Sequence, residues 1–564
     1  MRRYEPFDIH AVAARGMNYI TSMVDEAYDH LPYWFIQINE SPAYARHVRV
    51  DDAELVASWY EAIVALEKMN GATERSNAVK GGLKRHLLRS WGPKSLRYHE
   101  PYPWSNTQHA SFHEMGWVLA GMNQLCRDEP NNSDAYDKSK RLVEGLRSLA
   151  IQRTTRTFWS GDFPMGETVY EFPSDIYLPN EGFVDERVTG RGETSIRNAV
   201  LLEPLVARAI EFEDTVALDL AVGIANHMLG LSRYFNYKGE FFGHVHSAVW
   251  FAIGLVKLGG FIKNERYVEK AVQIFEYVRS LSSEFGWVPE YAQWHPMEEE
   301  HCETCCIKDM IVFALEAVEL GYDYWDLINK YTRNQLTEQQ IKDGCFISTA
   351  DKADENGYTW KNIDTRAVGG WSGGGEPNSL SLSRFRSIAG CCVGTAPVAL
   401  GMVYEKTIEE KNGGIYINFP IPRESSAAVI KTGYPNDGSM HVTMRTDGDV
   451  LIRHYDWMGE QCSVTVNGTA RPVAYRDNCM LIEKASRGDV IVLTHALNER
   501  VSHETVRGLS MHITWRGSDV VRMDPPGLPV QMYQRELGVA KSYPKPAGAK
   551  APSQNVPAPT DQKR

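Results

Sequence analysis

The feature that most restricts the fold of this chain is a recurring pair of helical runs separated by a short polar break. HEMGWVLAGMNQLC is followed by DAYDKSKRLVEGLRSLA, and SIRNAVLLEPLVARAIEF by TVALDLAVGIANHMLG. HSAVWFAIGLVKLGGF precedes YVEKAVQIFEYVRSL, and CCIKDMIVFALEAVEL precedes YDYWDLINKYTRNQL. Ile307, Met310, Ile311, Ala314, Leu315 and Val318 lie at the spacing of one helix face, and Val268, Ala271, Val272, Phe275 and Val278 make a second stripe. A hairpin of two such helices cannot bury its apolar face alone, so the pairs must pack side by side. A superhelical solenoid and a closed toroid both meet that need. The long, irregular insertions between pairs favour an (α/α)6 toroid with loops built into a central cavity. Asp51 and Asp52, just before AELVASWYEAIVALEKM, read as an N-cap signal for a further helix.

The texture changes after residue 412. IYINFPI, AAVIKTG, HVTMRT, DVLIRHY, CSVTVNG, CMLIEK and DVIVLTHA are short β-rich runs, separated by turn signals such as Asn436-Asp437-Gly438, Asp447-Gly448 and Asn467-Gly468. That pattern predicts a β-sandwich. The expected organisation is a helical toroid over residues 1–412, a β-sandwich over 413–540 and a disordered tail over 541–564, where Pro, Ala and Lys run without apolar periodicity.

A formal net charge of −12 supplies no basic field for nucleic acid or an anionic membrane surface. The opening MRRYEPFDIHAVAARGMNYI has no apolar run after its arginines, and no later stretch reaches the roughly 20 apolar residues of a membrane span. The expected compartment is the cytoplasm, with neither nucleic acid nor membrane as a partner; a homodimer is compatible with the sequence.

Of nine cysteines, five fall in two tight clusters. His301-Cys302-Glu303-Thr304-Cys305-Cys306 opens the helix running from Ile307, and Gly390-Cys391-Cys392-Val393-Gly394 opens the run TAPVALGMVYEKTIE. Clustered thiols in a reducing compartment point to metal or catalysis rather than to disulfides. Helix N-termini favour negative charge and lower thiol pKa values, and soft thiolates with one carboxylate suit zinc. Spacing alone equally allows a closed structural zinc site of Cys302, Cys305, Cys391 and Cys392, or plain buried cysteines.

These motifs carry a resemblance. ETC at 303–305, the helix after it, WDLINKYTRNQL, and AGCCVGTAPVALGMVYEKTIEEKNGGIYINFPI resemble glycoside hydrolase family 127, the β-L-arabinofuranosidases, which show E-T-C, a helix pair, C-C-P-P-N and G-L-Y-V-N-L-Y. TGYPNDGSMHVTM resembles the family's D-Y-P-W-D-G strand entry, and RHYDWMGEQCSVTVNG its P-G-W…V-N-G hairpin. The resemblance spans about residues 240 to 500. It implies a Zn2+ bound by Glu303, Cys305, Cys391 and Cys392, with Cys391 as the nucleophile that forms a thioglycosyl intermediate resolved by water with retention. A glutamate shortly before ETC would act as acid and then base, and Glu290 in FGWVPEYAQW is its best match, ahead of Glu284, Glu298, Glu299 and Glu300.

The same resemblance makes His244, in GHVHSA, a sugar contact, and His113, in SFHEMGWVLAG, a weaker one; a lone histidine at a helix start is otherwise a cap or a core residue. His246 has no counterpart in the family's G-H-A-V-R-A, and a family histidine expected near SIRNAVLLEPLVA is absent. The loop C-C-V-G-T replaces C-C-P-P-N. Cys302 and Cys306 read as packing residues, with zinc ligation as the alternative. Trp360 or Trp371, in the Gly-rich stretch 355–378, would stack on a sugar ring if that stretch is an active-site loop rather than a surface connection. No Rossmann, Walker or G-x-S-x-G pattern occurs.

The expected function is a retaining, zinc-dependent glycoside hydrolase acting on an oligosaccharide or glycoside, by resemblance a β-L-arabinofuranoside or a stereochemical relative. Two other readings stand beside it: another α/α-toroid enzyme such as a uronyl hydrolase, lyase or epimerase, and a noncatalytic sugar-binding scaffold stapled by zinc.

Overall fold

The structure is a computed structural model that describes residues 2–105, 108–154, 167–184, 195–293, 300–380, 387–528 and 530–543. Most of the tail expected over 541–564 lies outside them, as do Glu298 and Glu299. Thirteen helices are described: α1 Ile9–Ser22, α2 Glu54–Asn70, α3 Glu74–Leu87, α4 Phe112–Asp128, α5 Ser133–Leu149, α6 Leu202–Glu211, α7 Thr215–Asn226, α8 Val245–Ile262, α9 Glu265–Leu281, α10 Thr304–Val318, α11 Trp325–Tyr331, the short α12 Ile363–Arg366, and α13 Gly390–Thr407. The four helix pairs read from the sequence are α4/α5, α6/α7, α8/α9 and α10/α11.

The pairs are arranged in a ring. α2 packs against α4, α4 against α6, α6 against α8, α8 against α10, α10 against α13, and α13 returns to α2. The second helix of each pair packs on the first, and α1 lies against α2 and α13. One cavity is lined by residues of these six helices and by none of their partners. α8 is apolar enough in length and composition to cross a membrane, but it is largely buried within this ring. A helix enclosed on every side has no need of a polar face.

Ring closure depends on close approach between α2 and α13. A Cβ added at Gly394 would lie 2.4 Å from Ser58 Oγ and 2.7 Å from its Cβ. Gly to Ala inside a helix ordinarily gains about 0.5–1 kcal/mol, but here the added methyl has no room. Gly394→Ala is therefore expected to destabilise the protein by about 1–3 kcal/mol, read as a lower midpoint of thermal unfolding. An unchanged or raised midpoint would contradict the packing.

Asp51 and Asp52 do not cap α2. Ala53 precedes the helix, and no side chain bonds its first turn. Both aspartates are buried partners of histidines instead. Asp51 pairs with His47 Nδ1 at 2.8 Å and accepts from the Val48 N–H at 2.7 Å. Asp52 pairs with His99 Nδ1 at 2.6 Å and accepts from the Glu100 N–H at 2.8 Å, while His99 Nε2 meets Glu114 at 2.5 Å. Burial alone would disfavour a charged His99, but the flanking carboxylates of Glu114 and Asp52 push it up to about 10. Such pairing is what a buried charge requires.

The C-terminal region is sheet-rich and starts directly after α13, at Ile408. One sheet orders its strands as Ile408–Lys411, Gly414–Ile417, Gly448–Arg453, Cys479–Ala485 and Ala474–Arg476. A second orders Arg423–Glu424, Ala428–Thr432, Ser439–Met444, Val490–His495, Cys462–Val466 and Thr469–Arg471. Alternate residues such as Met440, Val442 and Met444 join Val450 and Ile452 of the first sheet in one core, the period-2 signature of a half-buried strand. Asn467 and Gly468 both adopt positive φ, 52° and 78°, at the tip of the Cys462–Arg471 hairpin, as a two-residue Asn-Gly turn demands.

A third, three-stranded sheet of Glu499–Val506, Leu509–Arg516 and Asp519–Asp524 rests against the helical region. There Asp519 bonds Arg333 Nη2 at 2.7 Å and Arg535 Nη1 at 3.2 Å, and Arg535 Nε bonds Glu338 at 2.8 Å, with all four side chains buried.

Candidate metal centre

One mouth of the helix ring is formed by the N-termini of its helices, and the cysteine clusters meet there. The strand Ile388–Ala389 pairs with Phe35–Gln37, and the Gly390 N–H donates to Trp34 O at 2.9 Å, so Cys391 and Cys392 enter the first turn of α13 from a fixed sheet edge. Cys305 and Cys306 occupy the first turn of α10. Glu303 sits at the N-cap of α10, yet its carboxylate makes no capping bond to the backbone of that helix; it turns toward the thiols.

Behind Glu303 the chain is pinned. Cys302 and Gly375 exchange backbone bonds of 2.8 and 2.7 Å, and Thr304 Oγ1 donates to Ser372 O at 2.7 Å. The glycine is needed: a Cβ at Gly375 would overlap Gln339 Oε1 at 1.7 Å. Part of the Gly-rich stretch thus braces the cluster from behind.

The donor atoms of Glu303, Cys305, Cys391 and Cys392 all lie within 4.8 Å of one another, and this group could hold a metal ion. Cys305 Sγ is 3.5 Å and Cys391 Sγ 4.0 Å from Cys392 Sγ; Glu303 Oε1 is 3.8 Å from both Cys391 Sγ and Cys392 Sγ. Donors arranged tetrahedrally about zinc stand about 3.8 Å apart sulfur to sulfur and about 3.6 Å sulfur to oxygen. The residues present fit the ion in donor type and in spacing. Without a cation, burial pushes the Cys305 and Cys392 thiols well above the usual thiol range. Burial opposes the ionisation of Glu303 too, but the hydrogen bond from His244 and the charges of His244 and His246 hold its carboxyl below the usual range.

A second group shares Glu303. Donor atoms of His244, Glu290 and Glu303 also lie within 4.8 Å of one another. His244 Nε2 is 3.3 Å from Glu303 Oε2, and its Nδ1 is 2.8 Å from Ser247 Oγ. Glu290 is held by its backbone: its carbonyl accepts from the Val245 N–H at 2.8 Å, and its N–H donates to His301 O at 2.8 Å. His113 stands in the first turn of α4, its Nε2 3.3 Å from Glu54 Oε2 in the first turn of α2. Burial works against a charged His113, but Glu54 raises it to about 9, and that charge reaches His244.

No family model matches the sequence, and no curated protein matches it. Solved structures do. A GH127 β-arabinofuranosidase superposes with a TM-score of 0.58 at 14% identity, covering 91% of this chain and 81% of that one. Ara127N-Se, a GH127 β-L-arabinofuranosidase from Geobacillus stearothermophilus T6, gives 0.53 at 14%, covering 91% and 80%. The chain has the fold of the GH127 β-arabinofuranosidases. A further structure described as a glycoside hydrolase gives a TM-score of 0.55 at 12% identity, covering 88% and 84%. At these identities the likeness to GH127 is one of fold.

Within the GH127 fold, the structure separates the sequence candidates. Cys302 and Cys306 stand outside the four-donor group. Cys302 Sγ accepts from the Val288 N–H at 3.2 Å, and Cys306 Sγ lies 3.8 Å from the other carboxylate oxygen of Glu303. Glu284 faces away from the centre, paired with Lys330 at 2.8 Å and Arg500 at 2.7 Å. Trp371 is no sugar platform. It is wholly buried, its indole N–H donates to Leu336 O at 2.9 Å, and its ring packs so tightly on Gly16 that a Cβ there would lie 3.0 Å away. Trp360 is covered by Lys352, 3.6 Å above its ring, and stacks with Tyr358.

Sequence reading missed the polar groups behind this layer. Glu54 pairs with His113, and His246 Nδ1 makes a short bond to the buried Asp309, itself 2.5 Å from Lys308. The available signal was positional: Glu54 and His246 occupy first turns of ring helices, as His113, Cys305, Cys391 and Cys392 do.

Proposed function

We propose that this chain is a retaining glycoside hydrolase, an (α/α)6 toroid followed by a β-sandwich, that releases a terminal β-L-arabinofuranoside or a related sugar. The observation that carries the reading is the asymmetry of the thiol cluster. Cys305 and Cys392 are 0% exposed, whereas Cys391 keeps 8% of its surface open, on the same mouth as Glu290 and His244. Two sulfurs can serve only as ligands; the third can reach a substrate.

Zinc held by Glu303, Cys305, Cys391 and Cys392 would supply the positive charge that keeps these buried thiols ionised at neutral pH. The Cys391 sulfur attacks the anomeric carbon as its bond to the leaving oxygen breaks, and Glu290 gives that oxygen its proton. Water then attacks the same carbon, Glu290 takes a proton from it, and the carbon–sulfur bond breaks to return Cys391. Two displacements retain configuration. His244 is held through Nδ1 by Ser247 at 2.8 Å, and its Nε2, 3.3 Å from Glu303, is the atom that a sugar hydroxyl would share. The nine cysteines, none in a disulfide, suit a reducing compartment, and the cytoplasm is the proposed location.

The test is metal analysis of protein purified without chelator, paired with assays on aryl furanosides and pyranosides. The reading expects one zinc per chain and turnover of an arabinofuranoside that chelation abolishes. Stoichiometric zinc with no turnover of any glycoside would instead make the centre a structural staple.

Glu290→Gln separates acid from ligand roles. Alkyl glycosides, whose leaving groups need protonation, are expected to lose about 10²–10⁴-fold in kcat/KM. Nitrophenyl glycosides should lose far less in the first displacement. Equal loss for both substrate types would remove Glu290 from the acid role.

A further inference from the structure

The four donors carry more negative charge than a zinc ion would balance. The thiolates of Cys305, Cys391 and Cys392 and the carboxylate of Glu303 together outweigh the two charges of the ion by two. All three cysteines are buried, and buried charge of this kind needs hydrogen-bond donors around it. Glu303 has His244 Nε2 at 3.3 Å from its Oε2. The cysteines have the positive ends of α10 and α13, whose first turns they occupy. Among the described residues, a single hydroxyl or N–H group bonds a sulfur of the four-donor group. It is Thr395 Oγ1, 3.4 Å from Cys305 Sγ.

Thr395 is 2% exposed and lies in α13 one turn beyond Cys391 and Cys392, whereas Cys305 belongs to α10. The contact therefore joins the two helices that supply the sulfurs. The ordinary role of a helical threonine is a bond to a carbonyl three or four residues back, and Thr395 Oγ1 does lie 3.4 Å from Cys392 O. Distance decides between the two acceptors. An O–H···O bond runs about 2.5–3.0 Å, so the carbonyl is too far for a good one, while the same separation suits the larger sulfur atom. The direction of the bond is fixed as well. A metal-bound sulfur has lost its proton and can only accept, so the hydroxyl donates.

We propose that Thr395 is a positioning residue of the metal centre. Its hydroxyl donates to the Cys305 sulfur and draws charge from that ligand. The centre then holds zinc more tightly and leaves more of the ion's charge for Cys391. The assignment rests on the zinc-thiolate reading above and adds to it a residue outside the four donors.

Competition titration of zinc against a chromophoric chelator, on the full chain, tests this without turnover. Thr395→Val keeps the shape and removes the hydroxyl, and is expected to weaken zinc binding about 10–100-fold. Thr395→Ser keeps the hydroxyl and should stay within a few-fold of the parent. Cobalt(II) in place of zinc gives a second readout. The sulfur-to-cobalt charge-transfer absorption should move to longer wavelength in Thr395→Val and not in Thr395→Ser, because without the hydrogen bond the sulfur electrons are held less tightly. Should Thr395→Val fold poorly, Thr395→Ala carries the same expectations. Equal affinity or an unmoved band in a folded variant without the hydroxyl, or failure of the serine to restore the parent values, would overturn the role of Thr395 and leave the metal centre standing. A parent chain that binds neither zinc nor cobalt would overturn both.

Discussion

Cys391→Ser is expected to lower turnover of an aryl arabinofuranoside by at least about 10³-fold while leaving the thermal midpoint close to that of the parent. A serine hydroxyl is a much weaker acid than a thiol and a poor soft-metal ligand, so it cannot supply the nucleophile at neutral pH. The substitution is nearly isosteric, and three of the four donors remain, so the helix junction should hold. Cys302→Ser is the matched control. Among the described residues that sulfur accepts only the Val288 N–H, which a hydroxyl accepts as well, and activity should stay within a few-fold of the parent. Comparable activity in the two variants would show that Cys391 does no more than pack.

The largest effect on stability is expected at the junction of the third sheet with the helices. Asp519→Ala removes the shared carboxylate from Arg333 and Arg535, which are 1% and 6% exposed. Glu338 still pairs with Arg535, but among the described residues the Arg333 guanidinium would keep no anionic partner, only the Pro420 carbonyl, 3.2 Å from its Nη1, and the Phe7 ring, 5.1 Å away. Breaking a buried pair from one side costs about 3–5 kcal/mol, because a charge is left without compensation. Thermal or urea unfolding of Asp519→Ala should show a loss of this size, with the sheet strands released first in hydrogen exchange. A loss below about 1 kcal/mol would mean that the network adds little to docking.

Much of this architecture was legible because its signals are local. The paired helical runs became α4 to α11, since an amphipathic stripe reports its own helix, although SIRNAVLLEPLVARAIEF is α-helical only over Leu202–Glu211 and YDYWDLINKYTRNQL only over Trp325–Tyr331. Asn467-Gly468 specified its hairpin because few residues adopt two successive positive φ values. The thiol clusters were legible through density: three cysteines in five residues and an adjacent pair are hard to place in an ordinary core.

What stayed hidden is long-range. The ring closes through α13 on α2, elements more than 300 residues apart, and nothing near Gly394 announces Ser58 as its neighbour. Asp51 and Asp52 looked like a cap because capping is read from adjacent residues, whereas Asp52's partner, His99, lies 47 positions away. Trp371 looked like a sugar platform because an aromatic residue in a Gly-rich stretch carries no mark of burial. Glu290 and Glu284 are alike in sequence, and only the fold turns one toward Glu303 and the other toward Arg500.

The most direct test of the central claim is mass spectrometry of the zinc-loaded enzyme quenched during turnover of a slow, activated arabinofuranoside. The account predicts a mass increase of one dehydrated sugar residue, mapped by peptide digestion to Cys391 and absent from Cys391→Ser. Turnover without any adduct on Cys391, or an adduct on a carboxylate such as Glu290, would contradict it.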